Sequence, residues 1–181
     1  MMDDAISKEL EIVLLGCGFN FYRIQNQLRA DDLLVRQKAG AFFGHAATRM
    51  EQLAQQFQRT CIPAPSRENP YPSADLMARL TALRNVRQRI MDQGTCIQGL
   101  PAPAQDKIWR RLRDEEDLLQ SLLRADAAML RLAAEVESQA QLLTAEAWKS
   151  PGAGDTLNAT LDGWDATIRQ RQDLLRIQAY G

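Results

Sequence analysis

The sequence predicts an all-α fold: an elongated bundle of four to five helices, one of them long and central, in a single domain over residues 1–181. Apolar residues recur at three- and four-residue spacing through most of the chain, which is typical of amphipathic helices. Aromatic residues make up only 6% of the chain and β-branched residues are sparse, which disfavours sheet. A length of 181 residues suffices for one domain with a substantial core.

The central helix is predicted over residues 104–149. Alternating steps of four and three residues give a heptad seam that two acidic side chains, Glu115 and Asp126, interrupt. A second apolar row lies beside the seam, so the apolar face is too wide for one partner helix and predicts burial in a bundle. The helix is expected to stop at Ser150, because the residue before Pro151 is driven out of the helical conformation. The apolar seam positions are Ile108, Leu112, Leu119, Leu122, Met129, Ala133, Val136, Ala140, Leu143 and Ala147.

Two helices are predicted before the first proline-rich loop, over residues 4–28 and 31–60. Asp31 suits the N-cap of the second helix, which favours a break near Ala30. The region around this break contains neither Gly nor Pro, and an apolar row nearly bridges it, so one continuous helix is the alternative.

The helix over 31–60 carries an apolar seam in which Arg36 is the one charged residue. Small residues are frequent on this face, so a neighbouring helix could approach it closely. Gly40, Gly44 and Ala47 are therefore predicted to mark a close helix–helix contact.

The third helix is predicted over residues 73–93. The preceding segment, 62–72, contains four prolines and is expected to be a loop. Ser73 suits the N-cap of the helix, and Gly94 is expected to end it.

The last helix is predicted over residues 155–179, with Asp155 as its N-cap. Arg171 interrupts its apolar stripe, which consists of Leu157, Leu161, Trp164, Ile168 and Leu175. Because ordering a helix opposes the gain from burying one stripe, the net docking energy is expected to be small. The stripe is therefore a candidate partner-binding surface, on a helix that either docks reversibly over the core or is itself captured by a partner. The alternative is that this helix is an integral part of the core.

Reactive motifs are missing from the sequence, which contains no phosphate-binding loop, dinucleotide fingerprint or nucleophile elbow. Cys17, Cys61 and Cys96 are widely separated, which indicates buried free thiols rather than disulfides or a zinc site. His45 is the only histidine and cannot supply the two Glu-x-x-His pairs of a di-iron bundle. It is predicted to lie on the surface. We therefore expect no enzyme, catalytic residue, metal or cofactor, with a signalling or metal enzyme built on His45 as the least favoured alternative.

The charge balance excludes a general attraction to nucleic acid or anionic membranes. Lys and Arg total 22 against 23 Asp and Glu, for a net charge of −1. The third helix has a basic flank, but no aromatic residues interleave with it as nucleic-acid stacking requires. The start MMDDAISKELEI does not resemble a signal peptide, and no uncharged run approaches the length of a membrane span. A cytoplasmic location is expected.

Two stretches carry a family resemblance. In the first stretch an acidic turn and spaced leucines precede a lysine and a further apolar stripe, in the sequence LRADDLLVRQKAGAFFGHAATRMEQL. The second stretch carries spaced leucines and arginines, in the sequence IWRRLRDEEDLLQSLLRADAAMLRL. Both resemble helices of the flagellar and type III export chaperones, small cytoplasmic helical proteins that hold a secreted subunit before export. The chain departs from that family at Ala125 to Met129, where the family tends to place asparagines, and in the extra helix after Asp155. The resemblance covers less than half of the chain and implies a secreted or flagellar subunit as the partner, without assigning a binding residue.

The expected function is that of a non-enzymatic interaction protein, chaperone-like or adaptor-like, which holds a protein partner through an apolar helical face. The surplus of apolar rows and the lack of a reactive constellation support this hypothesis. The alternative is a structural homo-oligomer, such as a homodimer, in which a second copy covers the surplus rows.

Overall fold

A computed structural model describes residues 24–64, 66–67, 70–100 and 116–176, and this part of the chain is all-α. It contains no strand. Its elements are α1 (Ile24–Cys61), α2 (Ala74–Gln98), α3 (Glu116–Leu142), a 3-10 helix (Ala147–Lys149) and α4 (Asp155–Arg176). The predicted helical bundle is therefore confirmed.

The helices pack in the order α2, α1, α3, α4, with close backbone contact between neighbours in that order. The core lies between them, and each helix contributes fully buried side chains to it, among them Phe43, Met50 and Phe57 of α1, Leu83 and Ile90 of α2, Met129 of α3, and Trp164 of α4. With 38 residues, α1 is the longest described helix. It packs against both α2 and α3, so it shares the central position that was predicted for the helix over residues 104–149 alone.

The break expected near Ala30 is wrong, because α1 runs through Asp31 and Asp32 without interruption. A cap at Asp31 would gain one side-chain hydrogen bond but would forfeit several backbone bonds of the helical ladder. Neither Gly nor Pro weakens the ladder here, so the continuous helix is favoured. The part of the first predicted helix before residue 24 lies outside the described residues.

Gly94 does not end α2, which continues to Gln98 and terminates at Gly99. The missing side chain of Gly94 serves packing instead, since a Cβ there would lie 3.3 Å from Cβ of Phe43 on α1. At Gly99 the backbone N–H donates to the Thr95 and Cys96 carbonyls and closes the helix. Ser73 occupies the N-cap position as predicted, but its side chain makes no capping hydrogen bond.

The helix predicted to reach residue 149 ends earlier, at Leu142. Arg49 of α1 donates from Nη2 to the Leu143 carbonyl at 2.7 Å and thereby satisfies a carbonyl at the helix end. The Thr144 hydroxyl accepts the Ala147 N–H at 3.1 Å, which starts a separate 3-10 turn. Tertiary and local side-chain contacts therefore end α3 before Pro151 does. Residues 104–115 of the predicted central helix lie outside the described residues.

Trp148 in the 3-10 turn covers one end of the bundle. Its side chain is buried, and Nε1 donates to the Arg79 carbonyl of α2 at 3.1 Å. Gly154 lies directly against the indole, since a Cβ at Gly154 would be only 2.7 Å from Cη2 of Trp148. The connection between α3 and α4 is thus fixed to α2 at the tryptophan.

The small-residue contact predicted for α1 is only partly present. Ala47 is half-buried against the core, and a Cβ at Gly40 would meet the flexible end of Gln98 on α2 at 2.8 Å. The prediction is wrong for Gly44, which is exposed and has no neighbouring atom within 4 Å of a Cβ position. The face of α1 that enters the core is rotated away from Gly44 and centred on larger side chains such as Phe43.

These two glycine environments predict opposite effects of alanine. We expect Gly154→Ala to lower the free energy of unfolding by about 1–3 kcal/mol, because the methyl group must displace the buried Trp148 ring. Gly44→Ala is the matched control and should raise stability by about 0.5–1 kcal/mol, because it favours the helix without a clash. Urea unfolding of both variants measures the two changes. Equal effects at the two positions would contradict the described packing of Trp148.

None of the helices in the described residues is both long and apolar enough to cross a membrane.

Candidate functional site

The predicted partner-binding stripe of α4 lies in the core. Leu157, Leu161, Trp164 and Ile168 are all buried. The side chain of Leu175 lies outside the described residues. The structure therefore brings these four residues together on one face of α4. This face is packed against the core and is not exposed to a partner.

α4 lies antiparallel to α3. Thr160 near the start of α4 accepts a hydrogen bond from Gln139 near the end of α3 at 2.9 Å, whereas Arg171 near the end of α4 contacts Asp126 in the first half of α3. Between these contacts, Gly163 lies opposite Leu132. The Trp164 ring meets Phe43 of α1 edge-on, with ring centres 4.7 Å apart. We call the surface formed by Phe43, Asp126, Leu132 and Gln139 the α4 groove.

A buried ion pair joins α4 to the α4 groove. Arg171 Nε donates to Asp126 Oδ1 at 2.7 Å, and the exposed fractions of the two residues are only 1% and 6%. Both residues stood out in the sequence as interruptions of apolar rows, and their contact explains both interruptions. The pairing itself was missed because the residues are 45 positions apart and the sequence does not show which helix faces meet. Burial of this kind costs desolvation, so we expect the pair to fix the register of α4 on α3 more than it adds net stability.

A polar bridge joins α4 to α2. Arg89 Nη2 donates to Asp162 Oδ1 at 2.6 Å and to Asp165 Oδ2 at 2.8 Å. Gln93 donates to Asp165 and accepts the indole N–H of Trp164 at 3.1 Å. We call these five residues the α2–α4 bridge. α2 and α4 lack the extensive backbone contact that links the other neighbouring helices, so polar side chains close this side of the described bundle.

The α2–α4 bridge is only partly shielded from water, with Asp162 largely exposed and Arg89 and Asp165 about a third exposed. Burial would lower the pKa of Arg89, but hydrogen bonds to Asp162 and Asp165 and the attraction of their charges outweigh it and raise that pKa. Arg89 is therefore a permanent cation, and raised salt should weaken the bridge by screening its partly exposed charges.

His45 lies on the surface as predicted, with 67% of its side chain exposed. Its Nδ1 lies 2.9 Å from Glu137 Oε1, a contact between α1 and α3 that has no signature in the sequence. Within the described ranges, no group of three or more His, Cys, Asp or Glu residues is placed to hold a metal ion.

The two cysteines in the described residues are free thiols, as expected. Cys61 is half-buried, but Cys96 is exposed, so the expectation of burial is wrong for Cys96. It lies on the outer side of the last turn of α2, where the helix contributes Ile97 to the core instead. Cys17 lies outside the described residues.

Comparison of the chain with protein-family models, curated proteins and solved structures gave no match.

Proposed function

We propose that the protein is a non-enzymatic helical interaction protein that binds a partner helix in the α4 groove, with α4 as a displaceable cover. The observation that carries this proposal is the asymmetry of α4. One side of the helix buries an apolar stripe on α1 and α3, whereas the side towards α2 is held by the partly exposed α2–α4 bridge. A second amphipathic helix with a similar stripe could replace it, since grooves of this kind recognise apolar anchors at helical spacing.

The connection before α4 supports such a movement. Trp148 is bonded to α2, so the chain up to the tryptophan can keep its place while α4 moves. Residues 150–154 then form the hinge, and Gly152 within them has φ of 81°, a conformation that glycine adopts without steric cost. The Asp155 N–H donates to the Gly152 carbonyl at 3.0 Å, a single backbone bond that closes this turn.

The apolar stripe that the groove now accepts from α4 supports a partner that presents an amphipathic helix. The resemblance to flagellar and type III export chaperones adds a secreted or flagellar subunit as the candidate, met in the cytoplasm before export. Affinity capture by the full chain from its native cell tests this candidate. Recovery of such a subunit as the dominant protein would support it, whereas recovery of this chain alone would favour the homo-oligomer.

Displacement requires that α4 open more readily than the rest of the bundle, and the α2–α4 bridge should control this opening. We expect Arg89→Ala to accelerate hydrogen exchange of α4 amides by about 2- to 30-fold, the effect of losing partly exposed ion pairs worth roughly 0.5–2 kcal/mol together. Exchange of α3 amides between residues 122 and 136 should change less. Raised salt should mimic the variant in the wild type, because it screens the bridge.

Arg84→Ala is the control for this experiment. Arg84 lies on the same helix but contacts Gln58 of α1 rather than α4. It should leave α4 exchange unchanged. If α4 and α3 are equally protected in the wild type, and Arg89→Ala slows or accelerates both together, α4 is integral core and the proposal is wrong.

A further inference from the structure

We propose that Asp126 is the specificity-determining residue of the α4 groove, and that it selects a partner helix carrying a basic residue at the position Arg171 now occupies. This inference rests on the proposed function, and it names the chemistry of the partner. When α4 leaves, the Arg171 guanidinium is withdrawn from the Asp126 carboxylate, which is buried when α4 is in place. A replacing helix that placed an apolar side chain there would bury the carboxylate without that cation, which is unfavourable.

The contacts of α4 also fix the direction and register of the partner helix. The apolar anchors Leu157, Leu161, Trp164 and Ile168 precede the basic residue at steps of four and three residues. Because Asp126 lies in the first half of α3, the basic residue reaches it only when the incoming helix is antiparallel to α3 with its anchors on the N-terminal side. A helix docked in the opposite direction would place its base at the wrong end of the groove.

A second charge requirement comes from the edge of the groove. Arg89 faces acidic side chains at Asp162 and Asp165, which lie beside the anchors Leu161 and Trp164. A matching partner helix therefore carries acidic residues next to its second and third anchors and a basic residue three positions after its fourth. Charge complementarity to both Asp126 and Arg89 distinguishes this helix from an arbitrary amphipathic one.

The probe for this proposal is a fluorescent, end-capped peptide with the sequence of α4 (Asp155–Arg176), titrated against the full-length Arg89→Ala protein. The intact chain keeps its own α4, so a peptide binds only the fraction of molecules in which α4 is displaced. This fraction scales the apparent affinity of every peptide equally and leaves their ratios unaffected. We expect an Arg171→Met peptide to bind at least about 30-fold more weakly than the wild-type peptide, because breaking a buried pair is costly. An Arg171→Lys peptide should lose much less. An Asp173→Asn peptide, changed on the exposed face, is the control and should bind as the wild type does.

The reciprocal change on the protein completes the test. In a protein that carries Asp126→Leu, the preference for the basic peptide should be lost, so that the Arg171→Met peptide binds at least as tightly as the wild-type peptide. If the wild-type and Arg171→Met peptides bind equally well to the protein that retains Asp126, then Asp126 does not select a basic partner helix. The displacement of α4 would still stand in that case. If no peptide binds either protein, α4 is not displaceable, and both the proposed function and this inference fail.

Discussion

Arg171→Met should lower the free energy of unfolding by about 3–5 kcal/mol, since it removes one partner of a buried ion pair and leaves the other charge in the core. Asp126→Leu should cost a similar amount for the same reason. The double variant, Asp126→Leu with Arg171→Met, should recover most of the loss, because two apolar side chains of comparable size suit a buried site better than one member of a broken ion pair. Urea unfolding of the four proteins gives the coupling between the two positions.

The control for this double-mutant cycle is Arg169→Met. Arg169 lies on the exposed face of α4, and its Nε donates to the backbone carbonyl of Asp165 in the preceding turn. Its replacement should change stability by no more than about 0.5 kcal/mol. If Arg169→Met and Arg171→Met have equal effects, or if the double variant is as unstable as the sum of the single ones, the contact between Asp126 and Arg171 is not an energetically coupled pair.

Asp126 and Arg171 show what the sequence predicts and what it does not. Helical periodicity predicted the apolar rows, because it depends only on the order of residues along one helix. The two polar interruptions were visible in the same way, as was that of Arg36, which is buried and donates to the Leu100 carbonyl. Their partners lie on other elements, and one sequence does not show which faces meet.

Helix ends were harder to predict, because local signals compete with packing. Gly94 and Gly99 both satisfy the rule that glycine ends helices, but the contact with Phe43 explains why the first lies inside α2. Pro151 was a sound stop signal, yet α3 ends earlier, where Arg49 of another helix meets the Leu143 carbonyl. Such tertiary contacts have no local signature.

The apolar stripe of the candidate site was predicted from the sequence, but its polar contacts with α2 were not. The stripe of α4 was identified from its spacing, and the structure places its described members in one surface. The α2–α4 bridge was missed, because Asp162 and Asp165 appear in the sequence as ordinary charges on the polar face of an amphipathic helix. They form a contact between helices only because Arg89 of α2 pairs with both of them.

Trp164→Ala should lower the stability of α4 docking by about 3–5 kcal/mol, since it removes a fully buried ring from the centre of the bundle. The change also removes the edge-on contact with Phe43 and the hydrogen bond to Gln93. Because α4 is the element that leaves in the proposed mechanism, its amides should lose protection against hydrogen exchange while α3 stays folded. Leu142→Ala, at an exposed position, should leave both helices unchanged and serves as the control. Cooperative unfolding of α3 together with α4 in the Trp164 variant would show that the two helices form one unit, and the displaceable cover would then have to be abandoned.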